Sequence, residues 1–247
     1  MRLDNPFIIF VVALAAQLGA AVLGDRVRRT VWPVNKLERE DLNTVLTATL
    51  TLLALIIGFS FSMAVSRYDQ RKNCEEAEAN AIGTEYLRAD LLPPDHGTKV
   101  RSLLKEYISQ RIAYYTGGVS GAVGDPTRLE KEMWLPVVHA ATTQASPITA
   151  LAASGMNDVL NTKGYTQAAW ANRIPNAAWA MMGLIAIFAN LLLGYRERST
   201  GALALMVVPL VASVAFFLIA DIDSPLGGVI RVTPNNLMAV AQTMNSQ

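Results

Sequence analysis

The sequence predicts an all-α fold: a polytopic membrane protein with four transmembrane helices and a helical aqueous domain inserted between the second and third spans. Three observations predict it. Of 247 residues, 52% are hydrophobic and only 17% are charged, which is unusually apolar for a soluble chain. The apolar excess collects in four runs without internal charge, each near the roughly 20 residues a helix needs to cross about 30 Å of hydrocarbon. No stretch shows the period-two alternation of a half-buried strand. Charge excludes further classes: 21 Lys and Arg against 20 Asp and Glu leave a net charge of +1, so nothing favours nucleic acid or another polyanion as partner. A single cysteine, Cys74, makes no intrachain disulfide, and with only His96 and His139 beside it there is no ligand set for structural zinc.

The first run extends from Pro6 to about Leu23. A cleaved signal peptide is its rival, but only Arg2 precedes the run, Asp4 stands beside it and no small-x-small site follows, so it is expected to remain as a span. The second run covers Val45 to Val65, the third Ala177 to Leu193 and the fourth Leu203 to Ala220. The expected divisions are a first hairpin over 1–66, an aqueous domain over 67–175, a second hairpin over 176–222 and a tail over 223–247. Flanking basic residues do not orient the chain. Arg26, Arg28, Arg29, Lys36, Arg39, Arg196 and Arg198 on one side balance Arg2, Arg67, Arg71, Lys72, Arg173 and Arg231 on the other. Four spans nevertheless place both termini and the inserted domain on one side.

The inserted domain carries acidic and basic residues in equal number and reads as helical throughout. Val100, Leu103, Leu104, Tyr107, Ile108, Ile112 and Tyr115 recur at helical spacing as an apolar stripe. Gly117, Gly118, Gly121, Gly124, Asp125 and Pro126 then break the chain. Thr127 and Glu130 have the spacing of a capping box, and Ser146 with Pro147 starts a further helix that Gly164 is expected to end.

The second span is the informative one. At about 100° per residue, Thr44, Thr47, Thr51, Leu55, Gly58, Phe59, Ser62 and Ser66 share one narrow face. Asp69, Asn73, Glu76 and Asn80 continue it in register, and no proline interrupts before Pro93, so one helix is expected to leave the membrane and enter the aqueous domain. Small hydroxylated faces let membrane helices pack closely. The other reading is that this face lines water, with Leu55 and Phe59 as apolar rings of the kind that gate by dewetting. One such helix cannot enclose a pore, so this reading requires a symmetric oligomer.

Gly58-Phe59, Ser66-Arg67-Tyr68 and Arg71-Lys72 resemble, in identity and spacing, the stretch of bacterial bestrophins where the pore-lining helix leaves the membrane. Asp221-Ile222-Asp223-Ser224-Pro225-Leu226-Gly227 resembles the acidic, proline-containing segment after the last bestrophin span. With Glu78-Ala79-Asn80-Ala81-Ile82-Gly83-Thr84, Arg88-Ala89-Asp90-Leu91 and Ile230-Arg231-Val232, most of residues 45 to 235 is similar to the bestrophin-like family of four-span bacterial membrane proteins. The resemblance implies a homopentamer in the bacterial inner membrane, with a central ion pathway and with its termini and helical domain in the cytoplasm. Carried onto this sequence it puts the hydrophobic neck at Phe59 and Leu55 with Thr51 one turn further, on the face that continues through Ser62 and Ser66. The sequence departs from the pattern in three respects. Thr51 stands where the neck is aliphatic, the aqueous domain is shorter, and the acidic cluster is reduced to Asp221 and Asp223.

Asp221 and Asp223 could coordinate a cation or pair with Arg231; pairing is expected, because Asp-x-Asp supplies fewer oxygens than calcium takes. Asp69, Glu75, Glu76 and Glu78 read in part as a solvated helix face balanced by Arg71 and Lys72. If Asp69, Asn73, Glu76 and Asn80 line a vestibule, symmetry repeats the two acids into rings that favour cations. His96, in a turn with Pro93, Pro94 and Gly97, and His139, in a helix, have no nucleophile or paired acid at a catalytic spacing, and Cys74 is expected to be buried. The sequence therefore points to an ion channel rather than an enzyme, needing no cofactor, with the lipid bilayer, inorganic ions and further copies of itself as partners. The other class it leaves open is a membrane-anchored helical sensor or scaffold that signals through a partner.

Overall fold

The computed structural model describes residues 5–30, 36–117, 126–196 and 202–246, and every regular element among them is helical. The helices are α1 (Pro6–Thr30), α2 (Lys36–Arg88), a 3-10 turn (Ala89–Leu91), α3 (Pro94–Tyr115), α4 (Pro126–Thr143), α5 (Pro147–Ala171), α6 (Asn176–Arg196), α7 (Ala202–Asp223) and α8 (Asn235–Ser246). Among the described residues four helical segments are long and apolar enough to cross a membrane; the first three apolar runs each lie within one, and the fourth, read from Leu203, overlaps the segment Leu205–Asp223. The protein is a membrane protein, all-α. The helix expected over 44–80 is continuous: α2 has 53 residues, about 80 Å at ~1.5 Å per residue.

The chain forms two compact units, residues 1–67 with 173–231 and residues 68–172 with 232–247. In the first unit α1 and α6 approach closely at two glycines. A Cβ on Gly24 would strike the backbone of Leu191 and Tyr195, and one on Gly194 would strike the backbone of Ala21. Small residues at such crossings let backbones meet, which is how helices associate where lipid removes the hydrophobic drive. A buried polar trio joins three of the membrane helices. Gln17 of α1 donates to Ser213 Oγ of α7 at 3.0 Å, and Asn190 of α6 donates to Gln17 Oε1 at 3.0 Å. In hydrocarbon each of these groups needs a protein partner, so the trio fixes which faces meet.

The second unit has one hydrophobic core, to which α2 contributes Ala79, Ile82 and Tyr86 and α3 contributes Val100, Leu103, Leu104, Tyr107 and Ile108. Met133 and Val137 of α4, Met156 and Val159 of α5, and Leu237 and Met244 of α8 complete it. The apolar stripe read from Val100 to Tyr115 is thus the buried face of α3. Pro93 and Pro94 start that helix, and Gly117, with φ +81°, follows its end. Ser146 caps α5 through a reciprocal capping box with Thr149.

Several expectations are corrected. Gly164 does not end α5, which runs on to Ala171. The ~1 kcal/mol that a helical glycine costs is outweighed by contacts on either side of it, the Lys163–Glu130 ion pair and the Thr166 hydrogen bond to Glu78. Glu130 is thereby engaged by α5. Gly118, Gly121, Gly124, Asp125 and the side chain of Thr127 lie outside the described residues. His96 is not in a turn but in the first turn of α3. The expected separate tail is also divided: residues 232–247 belong to the second unit, where Tyr86 Oη donates to the Met244 carbonyl at 3.3 Å.

Candidate functional site: the exposed face of α2

The face of α2 drawn from the sequence is exposed along its whole length. In the first unit Thr44, Thr47, Thr51, Leu55, Gly58, Phe59, Ser62 and Ser66 are all exposed, Phe59 at 65% and Leu55 at 52% of their full surface. The opposite face is buried through Leu46, Leu53, Ser60 and Ala64, about half a turn away by the same helical count. An open, shallow depression runs along the exposed side, lined by Asn43, Thr44, Thr47, Ala48, Thr51, Leu52 and Leu55.

The threonines there are less polar than their formula. Thr51 Oγ1 donates to the Thr47 carbonyl at 2.8 Å and Thr44 Oγ1 to the Glu40 carbonyl at 3.0 Å. Each hydroxyl proton is spent on the helix's own backbone, so the side chain's outward interaction rests on its methyl and on oxygen lone pairs. Thr51, the position at which the sequence departs from an aliphatic neck, therefore presents a weakly polar surface beside Leu55 and Phe59.

In the second unit the face continues through exposed Asp69, Asn73, Glu76 and Asn80. Glu75 and Glu78, read from the sequence as part of a solvated face, are buried instead. Both have compensating partners. Glu75 accepts from the Leu237 backbone N–H at 2.9 Å and from Asn236 Nδ2 at 2.7 Å, and so sits at the N-terminus of α8, where the exposed N–H groups and the helix dipole favour an anion. Glu78 pairs with Arg111 of α3 and accepts from Tyr115 Oη at 3.3 Å and Thr166 Oγ1 at 3.1 Å. Burial works against the charged form of Arg111, but Glu78 overcomes it and holds the guanidinium above its ordinary pKa. Arg71, expected to balance the acids in solvent, is buried as well. Cys74 is half-buried, and burial together with the Glu78 charge pushes its thiol up.

The carboxylates after the fourth span have partners other than the expected Arg231. Asp221 accepts from the Val229 and Ile230 backbone N–H groups at 2.7 and 2.8 Å, folding the loop back onto the end of α7. Gly228 lies so near that a Cβ there would meet the Asp221 carbonyl and carboxylate. Asp223 accepts from the Ile174 N–H at 3.1 and 3.2 Å and lies 4.0 Å from Arg67 Nη1. Arg231 Nε donates to the Gly228 carbonyl. Backbone N–H groups in a tight turn give a carboxylate charge-assisted hydrogen bonds and require no long side chain to be ordered. His96 and His139 stack on each other, ring centroids 6.4 Å apart. Among the described residues no group of three or more His, Cys, Asp or Glu side chains is placed to hold a metal ion.

A family model for the bestrophin-like domain matches residues 11–237. A crystal structure of a bacterial bestrophin homologue from Klebsiella pneumoniae, phased by zinc anomalous scattering, has a TM-score of 0.69 at 12% identity, covering 98% of this chain and 98% of that one. A mutant of the Klebsiella pneumoniae homologue gives a TM-score of 0.69 at 13% identity, covering 98% and 99%. A mutant described as a membrane protein gives 0.67 at 12% identity, covering 97% of both chains. No curated protein matches the sequence significantly. At these identities the structural likeness is one of fold.

Proposed function

The chain belongs to the bestrophin-like family, and from that premise we propose that it is an ion channel, a symmetric homo-oligomer whose pore is lined by α2. The observation that carries this reading is the unbroken exposure of a small-polar face on a membrane-spanning helix, from Thr44 to Ser66, with the other side of the same helix buried. The hydroxyls of Ser62 and Ser66 and the free lone pairs of the back-bonded Thr44 and Thr51 oxygens accept from water, which a water-filled axis supplies and lipid does not. The bulky Leu55 and Phe59, one turn apart on that face, are the proposed constriction, with the weakly polar Thr51 extending it. Apolar rings of this kind oppose ion passage until they widen or wet.

The exposed acids Asp69 and Glu76 form the proposed vestibule with Asn73 and Asn80 and give it a modest preference for monovalent cations. Five copies, the bacterial inner membrane and cytoplasmic placement of termini and helical domain follow from the family resemblance and belong to the same proposal. The test joins two measurements. The mass of the detergent-solubilised protein is expected to be that of an oligomer, and the same preparation in planar bilayers is expected to conduct. A monomer, or an oligomer without conductance over the range of voltage, pH and calcium, overturns the proposal and favours a membrane-anchored sensor.

A further inference from the structure

Glu85 of α2 and Gly155 of α5 meet in the core of the second unit. Glu85 is wholly buried, and neither of its carboxylate oxygens has a hydrogen-bond partner in the structure. It differs in this from Glu75 and Glu78, its neighbours on the same buried side of α2, both of which are held by donors. A Cβ added to Gly155 would collide with Glu85 Oε2 and with Arg88 Nη1 and Cδ, so both side chains converge on the same stretch of bare backbone. A guanidinium thus lies beside the carboxyl group without donating to it.

We propose that Glu85 is a protonation switch at the meeting of α2 and α5: packed over Gly155 as the neutral acid near neutral pH, it is driven onto Arg88 when it loses its proton to water. An unpartnered carboxylate in a hydrophobic core is far costlier than the acid, whereas a carboxylate paired with a guanidinium is compensated. Moving the two side chains together withdraws them from Gly155, and α5 loosens against α2. The charged groups acting on Glu85 are Arg88 on its own helix and Asp158 on α5, while Asp90 of the neighbouring 3-10 turn is engaged by Arg101 of α3. Burial raises the carboxyl most, Arg88 opposes the rise and Asp158 adds to it, leaving the group at about 8.

The direction of the linkage follows. Because the folded form holds the proton to a higher pH than the unfolded chain does, the stability gained from the neutral acid is complete below the ordinary glutamate range. It declines as pH rises and is lost by about pH 8, beyond which the curve is flat.

The test uses the full-length protein in detergent and does not depend on conduction, so its failure leaves the pore proposal standing. Infrared difference spectra over about pH 6 to 10 are expected to show a protonated carboxyl that titrates near 8, absent in Glu85→Gln. Hydrogen exchange of the α5 amides, corrected for the intrinsic pH dependence of exchange, is expected to lose protection over the same range in the native protein and not in Glu85→Gln. Arg88→Gln keeps the acid and removes its partner, and should move the midpoint upward. A Glu85 that is already ionised at neutral pH, a Glu85→Gln variant with the native pH dependence, or an unmoved midpoint in Arg88→Gln overturns the proposal.

Discussion

Replacing Phe59 by Ala separates the pore reading of α2 from a packing reading, because the two place the energy of the ring differently. Truncating a buried phenylalanine costs about 3 to 5 kcal/mol in a soluble core. Phe59 is 65% exposed in the single chain, so only about a third of its surface is covered by its own protomer. Scaled by that fraction, the truncation should cost the protomer about 1 to 1.7 kcal/mol, too little to unfold a domain of ordinary stability. Phe59→Ala should therefore fold and assemble, and its effect should appear in the current. Removing one apolar ring per copy widens and wets the proposed constriction, so single-channel current rises or the gate relaxes. Thermal unfolding and oligomer mass in detergent, measured on the same preparation as planar-bilayer recordings, read both terms. Unaltered currents from a correctly assembled Phe59→Ala oligomer would exclude the ring as the gate. A large loss of protomer stability would show that the face is covered within the chain.

Three further outcomes are expected. Glu78→Leu leaves Arg111 buried and unpaired and should cost about 3 to 5 kcal/mol in thermal or denaturant unfolding, with partial recovery in the Glu78→Leu, Arg111→Leu double variant; a cost below about 1 kcal/mol would mean that Glu78 stands in solvent. Gly194→Ala should destabilise the α1–α6 contact by about 1 to 3 kcal/mol, whereas Gly19→Ala and Gly183→Ala, where an added Cβ meets nothing, should be neutral or slightly stabilising. Asp69→Asn with Glu76→Gln should move the reversal potential under a potassium chloride gradient toward the chloride equilibrium value, and a native potential already at that value refutes the cation preference.

The four spans were legible because composition alone demands them: uncharged runs of bilayer length have few alternatives. The exposed stripe was legible for the same kind of reason, since a 3.6-residue period on an uninterrupted helix fixes which residues share a face. The burial of Glu75, Glu78 and Glu85 was not read, although a signal was present. They fall on the helical line of Leu46, Leu53, Ser60, Ala64 and Ile82, half a turn from Thr51 and Asp69. Acidic residues are rarely buried without partners, and these partners are far away in sequence. Arg111 lies 33 residues from Glu78, Thr166 lies 88 from it, and Asn236 lies 161 from Glu75, so no local spacing exposes the pairing. The same distance hides the reciprocal approach of Gly24 and Gly194, which no flanking pattern distinguishes from the unconstrained Gly19 and Gly183.

Burial on one side of α2 determines which of its charges can act on a passing ion. Counted from the sequence, the helix after Ser66 carries Asp69, Glu75, Glu76, Glu78 and Glu85 against Arg67, Arg71, Lys72 and Arg88, nearly neutral and without direction. The structure removes most of these from the exposed face. Glu75 is engaged by the start of α8, Glu78 by Arg111, Glu85 lies in the core, Arg71 is buried, and Arg67 stands beside Asp223. What remains exposed is Asp69 and Glu76 on the stripe and Lys72, about 70° from its centre by helical count. Rings generated by symmetry from the two acids would act within about one Debye length, near 8 Å at physiological salt, and Lys72 on the flank offsets part of their field. The proposed selectivity is accordingly modest, and raising salt should weaken it. Lys72→Gln should strengthen it, which is opposite in sign to the effect of Asp69→Asn with Glu76→Gln. A shift of the reversal potential in the same direction for both would place the selectivity elsewhere on the pathway.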